Sequence, residues 1–231
     1  MGHRGVRLAL GIAGALVVLL VLAQWLLPVL AAKRVNDRVK RYGTVKSASV
    51  SAWPAVELLW GKADSVTVSA GTLSVTPTQI ASLVWEAQNV GHMTVTADAA
   101  TLRVASIPNG LTMSDVRMDK HGTAIQASAT LTQQQLDEAF PNGFRVEPVG
   151  SGDGQVEARA SGGLFGVQAS IEALVKPLEG RLVAEPRGFP LAGLATVTLF
   201  SDPHLKVQSV GVRVQRRQPL TYGLTLQANL R

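Results

Sequence analysis

Ser65-Val66-Thr67-Val68-Ser69-Ala70-Gly71-Thr72-Leu73-Ser74-Val75-Thr76-Pro77-Thr78-Gln79-Ile80-Ala81-Ser82-Leu83-Val84 changes its hydrophobic period midway. In the first half Val66, Val68 and Ala70 alternate with Ser65, Thr67 and Ser69. That period of two marks a half-buried strand. In the second half Thr76-Pro77-Thr78-Gln79 is a capping box with proline at the first helical position. It opens a helix from Pro77 to about Gln88, with Ile80, Leu83, Val84 and Ala87 on one face.

Period two dominates everything beyond Gly43. Met93, Val95 and Ala97 alternate with Thr94, Thr96 and Asp98, and Ile125, Ala127, Ala129 and Leu131 show the same pattern. So do Val167 to Val175, Val210 to Val214, and Leu220 to Ala228. Each reads as a strand with one wet face, the habit of antiparallel sheets. Asp153-Gly154 and Gly162-Gly163 are hairpin dipeptides, and Asn109-Gly110 and His121-Gly122 read as tight turns. The alternation changes phase near Ala99-Ala100 and Ser114-Asp115, where bulges would bend the sheet. A second capping box, Thr132-Gln133-Gln134-Gln135, precedes Leu136, Ala139 and Phe140, and Pro141 stops that helix. Strand, capped helix, strand thus occurs twice, a weak internal repeat. Ala55 to Trp60 reads as a third short helix. The expected class is α+β: a curved antiparallel sheet wrapped on a few helices.

The chain has 231 residues and no cysteine, which excludes disulfides, thiol catalysis and zinc–thiolate sites. Its N-terminal part holds an uncharged stretch, Leu8 to Ala32, after Arg4 and Arg7. About 20 apolar residues cross a bilayer, so this stretch reads as a transmembrane anchor. It is too long for a signal-peptide core, though Leu30-Ala31-Ala32 resembles a cleavage site. Trp25, Lys33, Arg34, Arg38, Lys40 and Arg41 would then lie at the membrane interface. The expected organisation is an anchor over 1–32, a basic helical linker over 33–46 and one β-rich domain over 47–231. The flanking charges favour a cytoplasmic domain by the positive-inside rule. The pI near 10.1 belongs to those flanks, because residues 47–231 sum to about −1. A nucleic-acid binder would carry its basic charge across a face of the fold, so no nucleic-acid partner is expected. The partner expected from the anchor is a membrane.

No catalytic or metal signature stands out. His92, His121 and His204 sit beside Gly91, Gly122 and Pro203, and no two have metal-ligand spacing. There is no Gly-x-Ser-x-Gly elbow, and Asp137-Glu138 are adjacent on a helix and face apart. Gly150-Ser151-Gly152-Asp153-Gly154 lacks the lysine of a phosphate loop. The inward strand positions are mostly Val, Ala and Leu, in a chain only 5% aromatic. Such a face needs a helix or a ligand to fill the space against it.

Several short motifs carry a resemblance. Val50-Ser51-Ala52-Trp53-Pro54 is followed by Val56-Glu57-Leu58-Leu59-Trp60, Gly61-Lys62-Ala63-Asp64 and Ser65-Val66-Thr67-Val68. Later come Ala129-Thr130-Leu131-Thr132, Gln135-Leu136, Gly143-Phe144-Arg145-Val146 and Pro203-His204-Leu205-Lys206-Val207-Gln208-Ser209-Val210. In layout the chain resembles the actinobacterial LmeA-like family of phospholipid-binding envelope proteins. Ala52-Trp53-Pro54 and Lys62-Ala63-Asp64 depart from the family's usual Gly-Phe-Pro and Arg-Tyr-Asp, the mark of a divergent member. The resemblance implies a sheet similar to tubular lipid-binding domains, a domain outside the cytoplasmic membrane, and a role in lipid or lipoglycan handling. The expected ligand is a phospholipid whose acyl chains lie against Ile80, Leu83, Val84, Leu136 and Phe140, with Trp53, Leu58, Leu59 and Trp60 forming the mouth. No enzyme activity, cofactor or metal is expected. The alternative is a structural protein that presents a surface to an envelope biosynthesis enzyme and holds no ligand.

Overall fold

The computed structural model describes residues 3–105, 107–140, 144–164, 167–188 and 196–231, with side chains described in those ranges except over 3–20, 163–164 and 167–169. The element order is α1 (His3–Val39), β1 (Gly43–Ser51), a 3-10 helix (Ala55–Trp60), β2 (Ala63–Val75), α2 (Pro77–Glu86), β3 (Val90–Leu102), β4 (Leu111–His121) and β5 (Ala124–Thr132). Then follow α3 (Gln133–Ala139), β6 (Phe144–Gly152), β7 (Gln155–Leu164), β8 (Val167–Leu178), β9 (Arg181–Arg187), β10 (Val197–Phe200), β11 (Leu205–Arg217) and β12 (Leu220–Leu230). The class is α+β, mostly strand, as the alternation predicts.

The strands form two sheets where one was expected. The first runs β1-β2-β3-β4-β5-β12-β11 and the second β10-β9-β8-β7-β6. The first is mixed: β2 and β3 pair in parallel, with α2 as the crossover, and its other pairings are antiparallel. Parallel neighbours need a crossover, and the capped helix after Val75 supplies one. The second strand–helix–strand unit behaves differently. β5 belongs to the first sheet and β6 to the second, so α3 is a bridge between sheets and the repeat is one of sequence layout only.

Both capping boxes form. The Thr76 side chain accepts from the Gln79 N–H while the Gln79 side chain accepts from the Thr76 N–H, and Thr132 and Gln135 repeat the arrangement. Such a cap contributes about 1 kcal/mol, which matters for helices of only two or three turns. Pro141, expected to stop α3, lies outside the described residues. The phase change at Ser114-Asp115 is a bulge: register slips between Ser114 and Arg117, and Asp115 has φ 51°. Asp153-Gly154 makes the β6–β7 hairpin turn, whereas Gly162-Gly163 lies inside β7 and makes no turn.

The N-terminal reading needs correction. Among the described residues no helix is long and apolar enough to cross a membrane. The single-pass anchor over Leu8–Ala32, and the cytoplasmic-membrane location drawn from it, are therefore not supported. The C-terminal part of α1 runs against β1 and the 3-10 helix. One side of this part of the helix is committed to protein. Ala31, Ala32, Val35 and Val39 pack on the core cluster, and the Gln24 side chain bonds to the backbone of Ala52 and Ala55.

The two sheets meet along β11. Val207 N–H donates to the Gly180 carbonyl (2.9 Å), Val210 N–H to the Gly154 carbonyl (2.9 Å) and Val212 N–H to Ser151 Oγ (3.1 Å). The hairpin tips of the second sheet thus dock on the edge strand of the first. Gly154 has φ 73°, and a Cβ there would lie 2.9 Å from Ser209 Cβ. Gly154→Val should therefore cost about 1–3 kcal/mol in chemical denaturation. A loss below about 0.5 kcal/mol would mean that the tip docks loosely.

Candidate functional site

Register resolves the inward face of the seven-stranded sheet into cross-strand rows, since paired residues share a face. One row runs Val50, Val66, Met93, Lys120, Ile125, Ala228 and Val207. Every member is buried. Above it lie Ala81 and Val84 of α2, fully enclosed, with Ile80, Trp85 and Ala87 half-buried beside them. At the opposite end of the face Leu131 and Tyr222 are buried together with Gln133, Leu136 and Ala139 of α3. The Tyr222 hydroxyl donates to Gln133 Oε1 (2.7 Å), and Gln133 Nε2 donates to Asp137 Oδ1 (2.8 Å) and the Val146 carbonyl (2.9 Å). Burial pushes the Tyr222 phenol above its ordinary pKa.

Between these covered ends the central strands differ. Val95, Met118, Ala127 and Leu226 form one row, and Val116, Ala129, Leu224 and Val212 occupy the next. These eight are only half-buried, although they point to the same side as the enclosed residues, while Val68 and Val210 of the first row and Ala70 and Ala97 of the second are buried. The result is an apolar trough floored by small and aliphatic side chains, with α2 at one end and α3 at the other. The second sheet adds a further apolar face. Val146, Ala158, Ala160, Ala173, Val175 and Ala184 share it and are half-buried. Its reverse face carries cross-strand ion pairs, Arg159–Glu172 at 2.8 Å and Arg187–Glu157 at 3.0 Å, together with the buried Leu174 and Val183.

The residues singled out from sequence fall in three places. Val84 and Leu136 are buried under their own helices, with Ile80, Leu83 and Phe140 half-buried nearby. They form the flanks of the trough more than its floor. Leu58 packs on the core cluster, while Trp53, Leu59 and Trp60 are exposed and lie on the 3-10 helix side beside α1. Trp25, Lys33, Arg34, Lys40 and Arg41 are exposed on α1 and the turn after it, and Arg38 pairs with Glu86. The floor residues Val116, Leu224 and Val212 were not singled out, because their role depends on which strands pair.

A polar relay on the outward face was also invisible in the sequence. Arg117 Nε lies 2.6 Å from Asp119 Oδ2, and Thr94 Oγ1 donates to Asp119 Oδ1 at 2.8 Å. The Arg117 bond, with the Thr94 bond adding to it, holds the Asp119 carboxyl below its usual range. Thr94 Oγ1 can then accept from His92 Nε2 (3.1 Å), and His92 Nδ1 faces His121 Nδ1 at 2.9 Å. The two histidines meet because β3 and β4 pair His92 with His121. Among the described residues no group of three or more His, Cys, Asp or Glu side chains is placed to hold a metal ion.

Lys120 is the one fully enclosed cation in the covered row. Its Nζ donates to the Val90 carbonyl at 2.7 Å, and burial pushes the amine below its ordinary pKa.

No protein-family model matches the chain, and no curated protein does. Among solved structures, the crystal structure of the Zhui aromatase/cyclase from Streptomyces sp. R1128 aligns over 47% of this chain and 67% of that one. The identity is 14% and the TM-score 0.18, too slight a likeness to carry any argument.

Lys120→Met should stabilise the fold at neutral pH by about 1 kcal/mol, because the apolar isostere avoids burying a charge. A lysine whose folded pKa is depressed makes the wild type gain stability as pH rises through that pKa toward the unfolded value. The advantage of the variant should therefore shrink in alkaline solution. Denaturation midpoints against pH read both effects, and a destabilised variant at neutral pH would show that the Val90 bond outweighs the desolvation.

Proposed function

We propose that this chain is a non-enzymatic phospholipid-binding protein that holds acyl chains in the trough between α2 and α3. The observation that carries the reading is the contrast within one sheet face. The row from Val50 to Val207 is closed by helices, while Val95, Met118, Ala127 and Leu226 beside it stay half-open to solvent. Apolar positions that face inward with only partial protein cover suit an apolar ligand. An acyl chain gains about 0.8 kcal/mol for each CH₂ it buries, so binding needs no strong polar contact. The resemblance of the motifs around Trp53-Pro54 and Pro203-His204 to the LmeA-like family supports the same reading, with a role in lipid or lipoglycan handling. Under it the two sheets would serve as a tubular lipid-binding scaffold.

Filling the trough tests this reading. Ala127→Phe with Ala129→Phe adds two rings to the floor without removing a buried contact. Uptake of a fluorescent phospholipid by the variant should fall about tenfold or more, the loss of roughly two buried CH₂ groups' worth of contact, while its melting temperature holds or rises. Native mass spectrometry of the wild-type protein should show co-purifying lipid. Absence of lipid together with absence of uptake would remove the proposal.

A further inference from the structure

Four large apolar side chains stand in solvent on two adjoining segments. Trp25 of α1 is 78% exposed, and Trp53, Leu59 and Trp60 around the 3-10 helix are 76%, 66% and 67% exposed. Tryptophan is costly to leave in water and is normally covered. The segments are locked together. Gln24 Nε2 donates to the Ala52 carbonyl (3.3 Å), Ala55 N–H donates to Gln24 Oε1 (2.8 Å), and Trp53 N–H is held by Asp64 Oδ2 (2.6 Å). The rings are therefore presented on a fixed backbone. Leu26 and Val29 extend the exposed stripe along α1 toward Lys33 and Arg34.

The charge beside the patch is mixed with a basic excess: Lys33, Arg34 and Lys62 stand against Asp37 and Glu57. Lys33, Arg34 and Lys62 are exposed, and none makes an ion pair among the described residues. Of the acids on these segments and next to them, Asp64 is held on the Trp53 N–H and Glu86 pairs with Arg38, while Glu57 of the 3-10 helix and Asp37 of α1 make no ion pair among the described residues. Tryptophans flanked by unpaired cations fit the headgroup layer of an anionic bilayer, where indole sits at the boundary and lysine and arginine meet phosphate.

We infer that the Trp25–Trp53–Trp60 surface docks the protein peripherally on an anionic lipid bilayer. The helix does not cross the membrane in this arrangement; its exposed side and the 3-10 helix rest in the headgroup region. Docking there would bring the proposed acyl-chain trough to its lipid source, so the biological sense of the surface rests on that function. The binding itself does not, and the two are measured separately.

The test uses the full chain and extruded vesicles of phosphatidylcholine with phosphatidylglycerol, read by co-sedimentation, with pure phosphatidylcholine vesicles in parallel. Wild type should bind the mixed vesicles, and should bind the pure ones more weakly. Trp53→Ser with Leu59→Ser and Trp60→Ser should lower the partition coefficient about tenfold or more. Lys33→Glu with Lys62→Glu should remove the preference for phosphatidylglycerol. All five positions are exposed, so circular dichroism should be unchanged. Equal vesicle binding by wild type and the triple serine variant would overturn the inference. So would a wild type that ignores vesicles but self-associates, or holds a protein partner, through the same three residues. Vesicle binding without phospholipid uptake would leave the docking surface standing and remove the trough. Uptake without vesicle binding would do the reverse.

Discussion

One row of side chains, from Val50 across the sheet to Val207, has to be kept dry, and the rest of the architecture follows from how this is done. Each large aliphatic member contributes about 2 kcal/mol when it is fully enclosed. A flat sheet cannot enclose its own face, so a helix must lie across it. The capping box at Thr76 starts α2 where Ala81 and Val84 reach that row, and the parallel return of β3 beside β2 fixes its position. The C-terminal part of α1 closes the same end through Ala31, Ala32, Val35 and Val39. At the far end α3 is too short to do more than cover Leu131 and Tyr222. A middle region that is only half-covered follows from placing two short helices at the ends of long strands.

The polar interior has a similar division of labour. At the far end a tyrosine, a glutamine and a backbone carbonyl satisfy one another and join three elements. At the near end Lys120 is buried with a single carbonyl partner. The first arrangement ties the sheets together at little cost, because each donor finds an acceptor. The second places a desolvated amine among Met93, Ile125 and the α2 residues, where an apolar side chain would pack without penalty. Only the first has a clear structural purpose.

Much of this was legible in the sequence. Alternation located the strands at Val66–Ala70, Met93–Ala97 and Ile125–Leu131, and both capping boxes marked their helices to within two residues. These signals are local, so the chain itself displays them. Pairing is not local. Nothing in the sequence says that β3 returns parallel to β2, that β6 leaves for a second sheet, or that His92 faces His121. Gly162-Gly163 looked like a turn because glycine pairs usually are, yet here the pair continues a strand. The trough shared that blindness: Ile80, Val84 and Leu136 announced themselves by helical period, while Ala127, Ala129 and Leu224 are ordinary strand residues until the register places them in the half-covered rows. The apolar N-terminal run was the loudest signal, and its described part is a helix seated against the domain.

The hairpin tips that bond to β11 have a consequence for self-association. A terminal strand with free amides is a template on which another chain can add, and β11 is long and runs from Leu205 to Arg217. Gly180, Gly154 and Ser151 occupy three of its amides in turn. Beyond them the strand ends in Arg213, Arg216 and Arg217, whose like charges repel a second copy. The same contacts that hold the sheets together thus leave this border of the molecule with little to offer a growing aggregate.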